Sequence, residues 1–301
     1  MNRQFNWVKK IVNEIIKQAI FEIKIKRNKI DNCDNVHQSK KSIEQKLYDS
    51  SPIFIVSTGR SGTKFLAELL KIACNIETYH EPSPTLMSIS RDMFNEELSA
   101  KQQQIVFKAA RHESMIKHIL ANVRYVESNQ TLVSLIDGIL LTIPNAKILC
   151  LTRNPIKFAN SAYKKGWFEN DTIWENNRIV KNKNRDSIIN ILNYWVVVNT
   201  LLVDKTKNYP NNCKLFMLEN IVSDDNVVKE LMAFLDIKNY NHNKILKKTK
   251  IKVNTNKFNS WDHEGINKKE NDIDFDGLEN KYNEYLSVEI LPLAKTLGYE
   301  I

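Results

Sequence analysis

The chain has 301 residues, of which 42% are hydrophobic and 26% charged, and its formal net charge is +9. That length allows one large domain with an ample core, or one domain plus extensions. The scattered cysteines Cys33, Cys74, Cys150 and Cys213 have neither metal-type spacing nor the density of a disulfide framework, and they read as reduced thiols, with Cys74 and Cys150 in apolar settings. No run of roughly eighteen apolar residues occurs, and no small-residue cleavage site follows an apolar core. The expectation is a cytoplasmic chain with neither secretory signal nor membrane span.

In chain order, the first feature is a basic leader. Residues 1–30 hold Arg3, Lys9, Lys10, Lys17, Lys24, Lys26, Arg27 and Lys29 against Glu14 and Glu22, a net of +6, which leaves +3 for the rest. This uneven distribution argues against a nucleic-acid-binding body. Phe5, Val8, Val12, Ile15, Ile16, Ala19, Ile20 and Ile23 recur near helical spacing, so residues 5–30 predict an amphipathic helix that packs on a partner or on the body, or lies peripherally on an anionic membrane. We divide the chain into a leader, 1–48, and a folded domain, 49–301.

Ser51–Leu70 reads as a buried strand over Pro52–Ser57, a glycine-bearing loop and a helix over Thr63–Ala73. A strand feeding a tight loop into a helix N-terminus aims backbone N–H groups and the positive helix end at one spot, which suits phosphate or sulfate. Gly59 and Gly62 permit close approach, Arg60 offers a planar fork, and Lys64 a mobile point charge. A nucleoside-triphosphate loop needs four residues between its glycines, then Gly-Lys and a hydroxyl residue for magnesium. Here only two residues, Arg60 and Ser61, separate Gly59 from Gly62, and Phe65 follows Lys64.

A short strand Ile76–Tyr79 and the turn His80-Glu81-Pro82-Ser83-Pro84 come next. Then follow helix Lys101–Asn122, strand Arg124–Glu127, helix Thr131–Thr142, strand Lys147–Thr152 and helix Ile156–Lys165. Helix Asp186–Thr206, strand Lys214–Leu218, helix Asp225–Leu235 and a terminal helix near Leu278–Leu297 complete the pass. Strands alternating with helices predict an α/β three-layer sandwich with a mainly parallel central sheet. Arg153 leaves a strand at its C-terminal end, where open α/β sheets bind ligands, and Pro155 suits a first helical turn. Two anion sites at two strand ends imply a ligand with two phosphates. Between Asp236 and Asp262 lies a second basic run, from Lys238 to Lys257, read as a solvated loop or a lid.

Thr58-Gly-Arg-Ser-Gly-Thr-Lys-Phe65 resembles the 5′-phosphosulfate loop of sulfotransferases that use 3′-phosphoadenosine 5′-phosphosulfate (PAPS), most closely the carbohydrate, tyrosyl-protein and bacterial types. Ala146–Ser161 resembles that family's strand, Arg-(Asp/Asn)-Pro turn and helix. The resemblance implies the P-loop-like sulfotransferase fold. It implies that Gly59, Arg60, Ser61, Gly62, Thr63 and Lys64 hold the 5′ end of PAPS and that Arg153 and Ser161 bind its 3′-phosphate. It puts Phe65 where relatives place an adenine-stacking Trp, although a core role fits beside Leu66, Leu69 and Leu70. The family's basic loop near the 3′-phosphate has only a loose counterpart, in which Asn254 and Lys257 are the candidates. Lys214–Ile221 and the closing Leu291–Tyr299 resemble later family segments, and the Golgi members' membrane anchor has no counterpart.

For the chemistry, Glu81 aligns with the carboxylate that follows the loop in carbohydrate sulfotransferases and is the candidate general base; His80 competes, as imidazole titrates near neutral pH. Glu127 is a structural carboxylate or a substrate contact. Arg60, Lys64 and the loop amides would stabilise charge on the departing oxygen, leaving PAP. No His/Cys/Asp cluster suggests a metal. The expected function is sulfuryl transfer to a hydroxyl acceptor, a carbohydrate or glycolipid. The alternatives are a nucleotide-dependent kinase and a basic membrane- or nucleic-acid-binding protein. Trp167, Phe168 and Trp174 stack on sugar or fill a core.

Overall fold

The computed structural model describes residues 42–169, 178–179, 184–249 and 282–300. Five strands, β1 (Ile53–Ser57), β2 (Ile76–His80), β3 (Arg124–Ser128), β4 (Lys147–Thr152) and β5 (Cys213–Met217), form one sheet in the order β2-β3-β1-β4-β5. Every pairing is parallel, with Ile53 of β1 opposite Val126 of β3 and Lys147 of β4. The β1 residues are fully buried, which explains a continuous apolar run in place of alternation. Phe54 and Val56 enter one apolar cluster while Ile53 and Ile55 enter the other, so the strand feeds a core on each face.

One face is covered by α4 (Ala100–Leu120), α5 (Ile136–Thr142), α6 (Pro155–Tyr163) and α7 (Ser187–Asn208), with α11 (Leu291–Thr296) against α7. The other carries α2 (Thr63–Leu70), α9 (Asp225–Phe234) and α10 (His242–Thr249). The three layers match the predicted α/β sandwich. Among the described residues α7 alone is long and apolar enough to cross a membrane by length and composition. Its Ile191, Trp195, Val198 and Leu202 are instead fully buried in the protein core, which accounts for that apolarity.

Local signals set the helix starts. Ser99 and Gln102 form a reciprocal capping box at α4, and the Asn154 side chain accepts from Ile156 N and Lys157 N at α6, where Pro155 takes the first position. Several expectations need correction. The segment predicted as one helix over Thr131–Thr142 is a 3-10 helix over Gln130–Leu135 followed by α5, because Asn129 caps the tighter turn by accepting from Thr131 N. Four helices were not predicted: α1 (Ile43–Asp49), which packs on α4 and buries Leu47, α3 (Met87–Asn95), α8 (Leu218–Ser223) and α10. Lys244, Lys247 and Lys248 of the supposed basic loop therefore ride on α10, which anchors itself through buried Ile245. The terminal helix contains a π turn over Leu286–Ile290 before α11. Cys74 is exposed, not apolar in setting, whereas Cys150 and Cys213 are buried on β4 and β5.

Candidate functional site

The C-terminal tips of β1, β4, β3 and β2 gather most of the residues singled out from the sequence. After β1 the backbone turns through left-handed conformations at Gly59 (φ 72°), Arg60 (φ 49°) and Gly62 (φ 88°), the last being the N-cap of α2. Glycine is required twice here for space as well as for conformation. A Cβ on Gly59 would stand 2.3 Å from Gln130 Oε1, and one on Gly62 would stand 2.7 Å from Leu218 Cδ1. The loop is held from beneath by buried hydroxyls: Gly59 N donates to Ser57 Oγ at 2.9 Å, and Thr58 Oγ1 lies 2.7 Å from Ser61 Oγ. The result is a rigid concave backbone at the start of a helix. Thr63 is buried, Lys64 is exposed at the helix start, and Phe65 is buried in the apolar cluster with Leu66, Leu69 and Leu70.

The second motif meets this loop directly. Arg153 Nη1 donates to the Arg60 carbonyl at 2.7 Å, and Arg60 Nε donates to Ser161 Oγ at 3.1 Å. Arg153 is fixed from behind, since Trp195 Nε1 donates to its carbonyl at 2.9 Å. Burial lowers the pKa of the Arg153 guanidinium, partly offset by the charge of Glu219. Glu219 Oε1 accepts from Asn154 N at 3.2 Å, and the Tyr299 hydroxyl lies 3.4 Å from both Glu219 Oε2 and Thr152 Oγ1. The closing Gly-Tyr segment thus ties the chain end to the β4 and β5 tips. Burial also pushes the Tyr299 phenol well above its usual range.

On the other side, Glu81 follows β2 in a left-handed conformation (φ 48°), with its N–H donating to Ser128 O at 2.9 Å. Its Oε1 accepts from Gln130 Nε2 at 3.1 Å. His80 is exposed at the end of β2. The turn beyond Glu81 rests on a buried ion pair: Arg111 Nε and Nη2 donate to Glu127 Oε2 and Oε1 at 2.7 and 2.8 Å, and Nη2 also reaches Pro84 O at 3.0 Å. Glu127 further accepts from the Tyr125 hydroxyl at 2.6 Å and Asn129 Nδ2 at 3.0 Å. Burial alone would lower the Arg111 pKa, and the Glu127 hydrogen bond and charge outweigh it and raise it. Glu127 is fully buried, which makes it a structural carboxylate and removes it as a substrate contact.

Two clusters expected from the sequence, the phosphosulfate-type loop and Arg153 with Ser161, are therefore in contact, and Glu81 joins them through Gln130. Asn254, Lys257 and Trp174 lie outside the described residues, as does the leader up to residue 41. Trp167 is core: it is buried against Phe158 and Tyr194, with the Arg178 guanidinium 3.2 Å from its ring centre. Sequence reasoning missed Gln130, Glu219, Trp195 and Arg111. Their partners lie on other strands or helices, and the only local signal was that Gln130 follows a predicted strand end. No group of three or more His, Cys, Asp or Glu side chains placed to hold a metal occurs among the described residues.

Comparison with known proteins gives a consistent answer. The model of the sulfotransferase family matches residues 52–241. The sulfotransferase domain from the curacin biosynthetic pathway is 16% identical, covering 84% of this chain and 99% of its own, with a TM-score of 0.52. The sulfotransferase domain from the Synechococcus PCC 7002 olefin synthase is 15% identical, covering 85% of this chain and 98% of its own, with a TM-score of 0.50. No curated protein matches the chain. At these identities the solved structures establish a shared fold, the P-loop-like α/β sandwich.

Proposed function

The chain belongs to the sulfotransferase family, and we propose that it takes its sulfuryl group from PAPS and passes it to a hydroxyl of a carbohydrate or glycolipid. Sulfuryl transfer to a hydroxyl-bearing acceptor follows from the family; the donor and the acceptor class are our reading. One observation carries it: Arg153 bonds to the loop carbonyl of Arg60 while Arg60 bonds to Ser161. Two anion-binding segments far apart in sequence form one continuous surface, matching a nucleotide with a phosphate at each end.

The residues present fit such a ligand. Gly59 and Gly62 leave no side chain over the loop, and the first turn of α2 presents backbone N–H groups toward it. PAPS, when bound, supplies a sulfuryl group on a good phosphate leaving group. The Arg60 fork and the Lys64 ammonium, with the amides of Ser61 to Thr63, hold the 5′ end and stabilise charge on the departing bridging oxygen. Arg153 and Ser161 hold the 3′-phosphate, and the remote anchor positions the reacting end. Glu81 accepts the proton of the attacking hydroxyl as the new oxygen–sulfur bond forms and the old one breaks. His80 is the competing base. Asn254 and Lys257 complete the 3′ side in this reading. Phe65 supports the nucleotide from within the apolar cluster, without an exposed stacking face. The chain acts in the cytoplasm in this reading.

A thermal-shift comparison tests the donor. PAP without magnesium is expected to stabilise the protein, whereas ATP with magnesium and heparin do not. Stabilisation by ATP and magnesium alone would support a kinase and sink this reading. A radiolabelled sulfate-transfer screen over polysaccharides, glycolipids and simple alcohols then identifies the acceptor, and Glu81→Gln is expected to lose about 10²-fold or more in turnover.

A further inference from the structure

Gln130 occupies a place from which a side chain reaches both halves of the proposed reaction. In the sheet β3 lies between β2, which delivers Glu81, and β1, which delivers the loop, and Gln130 opens the 3-10 helix just beyond β3. Its amide is set between them. Nε2 donates to Glu81 Oε1 at 3.1 Å, while Oε1 is buried without a hydrogen-bond partner and lies where a Cβ on Gly59 would come within 2.3 Å. A buried carbonyl oxygen without a donor calls for a reason. The reason here is at the other end of the amide: turning it over would set Oε1 against the Glu81 carboxylate, two acceptors face to face.

The backbone beneath keeps the amide in place. Asn129 Oδ1 accepts from Thr131 N at 3.0 Å, and the single hydroxyl proton of Thr131 is shared between Asn129 Oδ1 and Thr85 O, each 2.8 Å from Oγ1. Glu81 is pinned in turn by its N–H to Ser128 O. Its side chain has a choice of rotamers, and the Gln130 donor selects one.

We propose that Gln130 is a positioning residue: its amide N–H holds the Glu81 carboxylate at the mouth of the loop, and the bare backbone of Gly59 makes room for that amide. The inference rests on Glu81 as the base. During transfer the proton moves from the attacking oxygen to Glu81, the oxygen–sulfur bond forms and the bond to the phosphate oxygen breaks. Gln130 neither gains nor loses a proton.

The test uses the full chain and two probes that need no identified acceptor: [35S]PAPS with water as the acceptor, read as sulfate release, and PAP binding by calorimetry. Gln130→Met, which keeps length and removes the donor, is expected to lower turnover about tenfold to a hundredfold while changing PAP affinity less than about twofold. Gln130→Asn, a shorter amide, is expected to recover part of the loss. In the Glu81→Gln background, Gln130→Met is expected to have no further effect, because the residue acts only through Glu81. Losses that multiply in the double variant, a fall in PAP affinity as large as the fall in turnover, or unchanged turnover in Gln130→Met would each overturn the proposal. If wild type and Glu81→Gln release sulfate at the same rate, the base assignment fails and takes this inference with it. If PAP does not bind wild type, the donor assignment fails first.

Discussion

Arg111, beneath the turn that follows β2, is fully buried and Arg153, at the tip of β4, is half-buried, and the protein answers their charges in opposite ways. Arg111 meets a carboxylate in bidentate geometry and three further carbonyls, and its partner Glu127 is itself saturated by Tyr125 and Asn129. Arg153 makes one side-chain hydrogen bond among the described residues, to the Arg60 carbonyl, and its nearest carboxylate, Glu219, turns its oxygens to Asn154 N and Tyr299. A fully answered cation has nothing left for a ligand. A half-buried cation that is lightly bonded still has donors to give, as the role proposed for Arg153 requires.

The sharpest way to break that contrast is to remove each arginine in turn. Arg111→Met leaves Glu127 as an uncompensated buried charge and is expected to cost about 3–5 kcal/mol in denaturant unfolding. A cost below about 1 kcal/mol would mean that water reaches Glu127 and that the pair is not structural. Arg153→Ala should do the reverse. Its expected loss is about 1.5–3 kcal/mol of PAP binding by calorimetry, with unfolding nearly unchanged, since the lost contact is a charged hydrogen bond to the ligand. Equal loss of stability in both variants would erase the distinction.

Gly59→Ala probes the ground between them. The added methyl meets Gln130 Oε1 in a conformation with φ 72°, and the expected cost is about 1–3 kcal/mol of stability together with weaker PAP binding. Loss of stability without loss of PAP binding would detach the loop's shape from its ligand. The smallest effect concerns His118, another fully answered polar group on the Arg111 side. Its Nδ1–H donates to Ser114 O at 2.7 Å and its Nε2 accepts from the Tyr79 hydroxyl at 3.1 Å, while burial lowers its pKa. The unfolded chain takes up a proton below about pH 6.5 that the folded state refuses, so the stability present above that pH is lost as the pH falls. His118→Gln is expected to flatten the decline in unfolding free energy between about pH 6.5 and 5; an unchanged slope would show that His118 protonates without unfolding.

Legibility from sequence followed the same divide. The Lys147–Thr152 strand was readable to the residue, and the helix expected from Ile156 starts one residue earlier at Pro155, because apolar run, Arg-Asn-Pro turn and cap lie next to one another along the chain. The anion loop was readable for the same reason. The Arg111–Glu127 pair and the Gln130–Glu81 contact were not, because their members come from separate elements and nothing local marks a polar side chain as buried. Helix α3 escaped because Leu86 begins it in a left-handed conformation with no side-chain cap, so Pro84 and the serines around it read as loop. Helix α10 escaped because only Ile245 and Thr249 are buried in a strongly basic stretch.

The order β2-β3-β1-β4-β5 has a corollary for how such enzymes diversify. On the reading proposed here, everything that grips the nucleotide hangs from β1 and β4, while everything that faces the incoming alcohol hangs from β2 and β3. The β1–β3 ladder joins the two halves through the sheet, and at the strand tips they meet where Gln130 packs over Gly59. On this reading a change of acceptor needs substitutions on the β2–β3 flank alone, provided that the glycine at 59 and the amide at 130 stay where the two flanks touch at the strand tips.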